Sequence, residues 1–302
     1  MCIRDRQLRK EGYQITVYDR YDRPGGLLIY GIPNFKLEKF VVERRTKLLE
    51  ESGIKFVHNF EVGKDATLDE LREKHDAILI ATGVYKARDI TTPGSGLDGI
   101  VPALEYLTAS NKKSLGDKVE AFDDGTLNAE NKDIVVIGGG DTAMDCVRTA
   151  IRQKARSVSC LYRRDRVNMP GSQREVQNAE EEGVVFKWLS APQAFIGDVK
   201  VGTVQAQRIH LGQPDATGRQ VPEVIEGSTH ELHADMVIKA WPAIKDDRDS
   251  VSIKLMDNPL AADAMSQRGQ LRLALLKGRE QTKYLSKNLL KGTDLDLSLI
   301  HI

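Results

Sequence analysis

At 302 residues the chain exceeds the usual length of one domain, so two domains with a core each are expected. Its 44 Lys and Arg balance 44 Asp and Glu, which excludes the broad basic footprint of a nucleic-acid or anionic-membrane binder and requires any anion to be held locally. A composition 40% apolar and 29% charged excludes a disordered chain.

The three cysteines, Cys2, Cys146 and Cys160, form no C-x-x-C pair, so neither a disulfide framework nor a cysteine-held metal cluster is expected, and a reducing cytoplasm fits best. Arg4, Asp5 and Arg6 have no apolar stretch behind them, unlike a secretory signal, and no apolar run reaches the length of a membrane span.

Along the chain, residues 7–12 read as the end of a helix closed by Gly12. Ile15–Asp19 reads as a strand ending on an acid, like the second strand of a nucleotide-binding unit; the first strand and its glycine turn should precede it and are not in the sequence. Pro24–Leu28 is a glycine-rich loop continuing through Gly31–Pro33. Leu37–Ser52 has helical spacing closed by Gly53, with Lys36 and Lys39 as its solvated start. Ile54–Val57 is a strand, Leu68–Lys74 a short helix, and Asp76–Gly83 a continuous apolar run expected to be a buried central strand. Arg88–Gly99 and Leu115–Asn131 read as connecting chain and a domain boundary.

The most informative segment follows. Asp133–Ile137 is an apolar strand running into Gly138-Gly139-Gly140 and a helix over Asp141–Gln153, with the next strand at Ser157–Tyr162. Gly171–Glu182 reads as a charged helix, and Val184–Leu189, Val201–Leu211 and Leu232–Ala240 as strands. After Trp241 the alternation is lost, and the last dozen residues carry no clear element signal.

Gly138-Gly139-Gly140-Asp141-Thr142-Ala143 has G-x-G-x-x-A spacing: the first glycine makes a tight turn, the second admits a pyrophosphate, and Ala143 lets helix and strand pack closely. The helix N-terminus supplies partial positive charge without net charge. A plain glycine turn is the alternative; the preceding strand and following helix favour a dinucleotide. Arg163-Arg164, at the end of the next strand, favours a 2′-phosphate and hence NADP over NAD, although the adjacent Asp165 could pair with them. Asp19 occupies the equivalent place in the earlier unit; with Gly25-Gly26 and Ala81-Thr82-Gly83 it reads as a second cofactor site, one that would suit a flavin. His230 and His233, three apart on a strand, face opposite sides and do not form a zinc pair. Cys146 reads as a buried packing residue.

The segments Pro24–Lys39, Asp76–Arg88, Val135–Gln153 and Tyr162–Val184 closely resemble the small subunit of glutamate synthase, over residues 7 to about 240. The wider group includes the reductase domain of dihydropyrimidine dehydrogenase and other iron–sulfur-coupled NADPH flavoproteins. The resemblance implies an α/β fold of two Rossmann-like dinucleotide-binding domains, the NADPH domain inserted into the FAD domain. It divides the chain into a partial FAD domain at 7–98, a connection at 99–130, an NADPH domain at 131–240 and a divergent or disrupted end of the FAD domain at 241–302.

It further implies hydride transfer from NADPH to FAD, with electrons passing through iron–sulfur clusters to a glutamate-forming large subunit. Asp19, Gly25, Gly26, Leu27, Gly31 and Gly83 then fall on the FAD side, and Gly138, Gly139, Gly140, Asp141, Thr142, Arg163 and Arg164 on the NADPH side. No catalytic acid–base residue is expected, because the flavin does the chemistry. The FAD fingerprint, the cluster cysteines and the family's late Gly-Asp motif are not found, and Met1–Arg6 and Asp294–Ile302 look foreign to the family. A truncated, frame-disrupted copy is the corresponding expectation. The alternatives are a non-catalytic NADPH-binding fragment that cannot hold FAD, or a reductase serving another acceptor such as ferredoxin or a pyrimidine-reducing partner.

Overall fold

The computed structural model describes residues 2–80, 92–214, 218, 220–240 and 296–301. In chain order the elements are α1 (Cys2–Lys10), β1 (Gln14–Asp19), α2 (Leu27–Tyr30), α3 (Lys39–Glu51), β2 (Ile54–Val57), α4 (Leu68–Lys74), β3 (Ala77–Ile80), β4 (Ile100–Pro102), α5 (Ala103–Ser114) and α6 (Glu120–Asp123). They continue with β5 (Asp133–Ile137), α7 (Asp141–Arg152), β6 (Ser157–Tyr162), α8 (Gln173–Glu181), β7 (Val185–Trp188), β8 (Ser190–Ile196), β9 (Thr203–Pro214), β10 (Gln220–Val224), β11 (His230–His233), β12 (Met236–Lys239) and β13 (Asp296–His301). They fall into two compact units, Met1–Arg23 with Lys47–Val84 and Ile244–Ile302, and Pro24–Thr46 with Tyr85–Ala243. Among the described residues no helix is long and apolar enough to cross a membrane.

The first unit is built on a parallel sheet of order β2-β1-β13-β3. Its interior gathers Tyr13, Ile15, Val17, Leu49 and Ile54 in one cluster and Tyr18 and Leu71 in another. Helix α4 is delimited by chemistry close in sequence: Thr67 and Glu70 form a capping box, each side chain accepting from the other's backbone N–H. Gly12 (φ 97°) and Gly53 (φ 91°) take the left-handed conformation after α1 and α3.

Three expectations are corrected in this unit and its flank. The loop at 24–33 contains a helical turn, α2, because Gly25 and Gly26 at positive φ reverse the chain just ahead of it. The apolar run at 76–80 is not a buried central strand among the described residues: β3 ends the sheet order and Ile78–Ile80 are half-buried. An apolar run marks a capacity for burial; place in a sheet is set by partners distant in sequence. The final residues, read as carrying no element, supply β13 between β1 and β3.

The second unit has three layers around a parallel sheet of order β4-β12-β5-β6-β7. Along β5, Ile134 and Val136 pack into a core with Tyr106 and Leu107 of α5, Met144 and Val147 of α7 and Val176 of α8. Val135 and Ile137 point the other way, against Phe195, Val204 and Ala206 of an antiparallel sheet in which β9 pairs β8, β10 and β11. Burial on both faces is why β5 is apolar at every inner position.

The stretch 99–130, read as connection, carries β4, which pairs with β12, and α5, whose Tyr106 is fully buried. The single strand expected at 232–240 is two strands in different sheets, because the chain leaves β9 at His233 and joins β5 at Met236. Chain order reverses between β5, which leads outward to β6 and β7, and β12 on its other side; in open α/β sheets ligands bind at such a switch point.

Candidate dinucleotide-binding site

The glycine turn after β5 lies at this switch point. Gly138 has φ 148°, and a Cβ there would lie 2.4 Å from the carbonyl oxygen of Ala240, at the end of β12. A Cβ on Gly139 would lie 2.3 Å from Cε2 of Tyr162. That ring is fixed: its hydroxyl donates to Asn168 O at 3.2 Å and its edge meets Trp188 with centroids 6.4 Å apart. A Cβ on Gly140 would meet nothing within 4 Å.

Gly140 is the N-cap of the twelve-residue helix α7 and supplies no side-chain cap, its carbonyl accepts from Ala143 N and Met144 N, and the space beside its own Cα is open. Two glycines are therefore required by the protein's own packing, whereas the third keeps room over a helix N-terminus, a cradle that fits a pyrophosphate. Ala143 is fully buried, as close packing of helix and strand requires.

Asp141 and Thr142 are exposed on the first turn of α7. Asp141 Oδ1 accepts from Ser172 N at 3.0 Å, and Gly171 N donates to Gly139 O at 2.9 Å, so residues 163–172 close back onto the turn. Within this loop Arg163 is exposed, while Arg164 is half-buried and donates from Nε to Gln220 O at 3.3 Å. Asp165 accepts from the backbone and side chain of Asn168, each at 2.8 Å. Both arginines thus follow the end of β6, at the same carboxyl end of the parallel sheet as the glycine turn after β5. Tyr162, Gly171 and Ala240, which shape that turn, were missed by motif spacing because they are distant in sequence.

On the other set, Asp19 ends β1 almost fully buried; Oδ1 accepts from Tyr21 N at 3.0 Å, and burial raises its pKa above the usual carboxylate value. Gly25 (φ 137°) and Gly31 are accounted for locally, because a Cβ would press Ile29 and Leu27 respectively. Gly26 has φ 52°. Leu27 is 47% exposed. Gly83 lies outside the described residues, as do Trp241-Pro242.

Of the two lysines read as a solvated helix start, Lys36 is exposed but ion-paired, and Lys39 is buried. Lys36 Nζ lies 2.7 Å from Asp145 and 3.4 Å from Glu175. Asp145 is buried on α7, and burial lifts its pKa against the pull of Lys36. Arg148 and Arg152 extend the network to Glu182 and both lie over the Phe35 ring. Lys39 is 5% exposed, and burial brings its ammonium down to about 8 while Asp145 pulls it up. The signal was available for Asp145, an acid among apolar residues on the inner face of α7.

Cys146 and Cys160 are free and fully buried, and burial pushes both thiols up, Cys160 to about 12. His230 is half-buried and His233 exposed on β11, on opposite faces. Asp133, His233 and Asp235 place donor atoms within 4.8 Å of one another, but Arg156 already fills the group, 2.6 Å from Asp133.

The chain is 69% identical over 234 residues to the glutamate synthase (NADPH) small chain of Azospirillum brasilense, covering 78% of this chain and 48% of that protein. Against the protein of the same name from Escherichia coli K12 it is 45% identical over 236 residues, covering 78% of this chain and 50% of that one. The chain thus spans about half the length of these curated relatives. Among solved structures, Mycobacterium tuberculosis FprA in complex with NADPH superposes with a TM-score of 0.63 at 18% identity, over 75% of this chain and 70% of that one, a likeness of fold. Residues 6–247 match the model of the pyridine nucleotide-disulphide oxidoreductase family, and the chain belongs to that family.

Proposed function

We propose that the chain is an NADPH-dependent flavin oxidoreductase of the glutamate synthase small-subunit type, residues 131–240 forming its NADPH part and residues 7–98 a portion of its FAD part. The observation that carries this reading is the glycine turn after β5, where Gly138 and Gly139 pack against Ala240 and Tyr162 while Gly140 leaves space over the uncapped start of α7. Gly138, Gly139, Gly140, Asp141 and Thr142 would border the pyrophosphate of NADPH, and Arg163 and Arg164 would meet its 2′-phosphate. Asp19 would accept from a ribose hydroxyl of FAD, with Gly25, Gly26, Leu27, Gly31 and Gly83 on the same cofactor's side.

When bound, NADPH and FAD supply a hydride and its acceptor; this chain's residues bind and orient them. Asp145 and Lys36 compensate one another's charge and carry no assigned proton transfer. A glutamate-forming large subunit, reached through iron–sulfur clusters whose ligands lie in other segments or chains, is the proposed destination of the electrons; the high identity to glutamate synthase small chains supports this choice.

The test is the visible spectrum of the purified chain with FAD, then with NADPH under anaerobic conditions. A flavin band that is retained and bleaches with NADPH is expected. NADPH binding without retained flavin would instead favour the non-catalytic fragment, and absence of NADPH binding would refute the reading of the glycine turn.

A further inference from the structure

The turn at 25–32 is held by side chains that seek its backbone. Helix α2 is a single turn, too short to be stable by itself. Its internal bonds use the carbonyls of Gly25, Gly26 and Leu27, which accept from residues 28–32. The carbonyls of Leu28, Tyr30 and Ile32 are taken instead by two side chains.

Lys39 Nζ donates to Leu28 O at 3.2 Å and to Ile32 O, and Asn111 Nδ2 of α5 donates to Tyr30 O at 2.9 Å. Both side chains are removed from water, Lys39 at 5% exposure and Asn111 at 2%. Lys39 is held in turn by its own N–H, which donates to Asn34 Oδ1 at 3.2 Å. Among the described residues apolar packing secures the inner side of the turn, where Ile29 and Tyr30 are buried, while Leu27 and Leu28 are 47% and 38% exposed. Burying an ammonium group is costly unless its hydrogen bonds are made, and charged donors make the stronger bonds to carbonyls. A Leu or Met at position 39 would fill the space without that cost, so its presence marks a requirement on the backbone path.

We propose that Lys39 and Asn111 are positioning residues that fix the backbone of residues 27–32 and, through it, the FAD that this chain holds. The flavin half of this inference rests on the reading given under Proposed function.

The experiment uses the full chain with Lys39→Met, Lys39→Arg and Asn111→Ala, and measures amide hydrogen exchange together with FAD and NADPH affinity. Lys39→Met is expected to raise exchange across residues 28–32 at least tenfold and to weaken FAD binding by a similar factor. Residues 134–150 and NADPH affinity are expected to stay unchanged. Lys39→Arg, which can still donate to two carbonyls, is expected to restore part of both effects. Should Lys39→Met not fold, Asn111→Ala carries the same expectation at Tyr30 and its neighbours.

Unchanged exchange across residues 28–32 in the folded variants would overturn the inference. Raised exchange with unaltered FAD affinity would overturn its flavin half and leave the NADPH reading standing. A parent chain that takes up no FAD would refute the flavoprotein reading itself, while exchange still decides whether the two side chains hold the turn.

Discussion

Replacing Gly139 and Gly140 separately by alanine should divide stability from binding at adjacent positions. At Gly139 the added methyl would sit 2.3 Å from Cε2 and 2.4 Å from Cδ2 of Tyr162, well inside contact distance. The ring cannot swing aside without breaking its bond to Asn168 O and its packing on Trp188. Overpacking of this kind costs about 1–3 kcal/mol. At about 2–4 °C per kcal/mol for a chain of this size, Gly139→Ala should lower Tm by about 2–12 °C.

At Gly140 the methyl meets nothing within 4 Å, and φ −95°, ψ 177° is open to any residue. The loss of glycine at an N-cap and the reduced freedom of the unfolded chain offset each other within about 0.5–1 kcal/mol. Gly140→Ala should therefore keep its Tm yet weaken NADPH binding at least tenfold, equivalent to about 1.4 kcal/mol, because the methyl stands over the helix start. Thermal unfolding followed by circular dichroism and titration calorimetry with NADPH separate the two effects. An unchanged Tm in Gly139→Ala would refute the fixed Tyr162 ring; an unchanged NADPH affinity in Gly140→Ala would refute a pyrophosphate at this turn.

Hydrogen bonds from Arg152 and Arg148 hold the Glu182 carboxyl down to about 2 from an ordinary 4.5, so its contribution is present above 4.5 and is lost as pH falls toward 2. With allowance for solvent screening this is about 1–2 kcal/mol, and urea unfolding of Glu182→Gln should show a flatter acid limb than the parent; identical limbs would refute it. Lys39 has the opposite sense. Its ammonium titrates near 8 when folded against 10.5 when exposed, so stability should rise as pH increases from about 8 toward 10.5, and Lys39→Met should remove that rise. Replacing Arg163 and Arg164 together by Met should lower the ratio of NADPH to NADH affinity at least tenfold, as loss of guanidinium–phosphate pairing predicts; an unaltered ratio in calorimetric titration would place the 2′-phosphate elsewhere.

Much of the second unit was legible because its signals are local. The apolar run Asp133–Ile137, three glycines and a helix to Arg152 follow one another without interruption, and the strand expected at Ser157–Tyr162 is the strand observed. Helix α4 was likewise legible as Leu68–Lys74, the bounds observed. Helix α5 was missed because its apolar residues alternate with Thr, Ser, Asn and Lys, and its burial depends on α7 packing over it.

The sequence by itself determined the glycine turn, its helix and the paired arginines, because each is a choice of residue within a few positions of chain. Only the tertiary structure decided that Gly139 is required by Tyr162, that Asp145 is matched by Lys36, and that Lys39 turns inward to the carbonyls of the preceding turn. Those pairings join residues separated by up to 109 positions, and hydrophobic periodicity carries no record of which buried polar group will meet which.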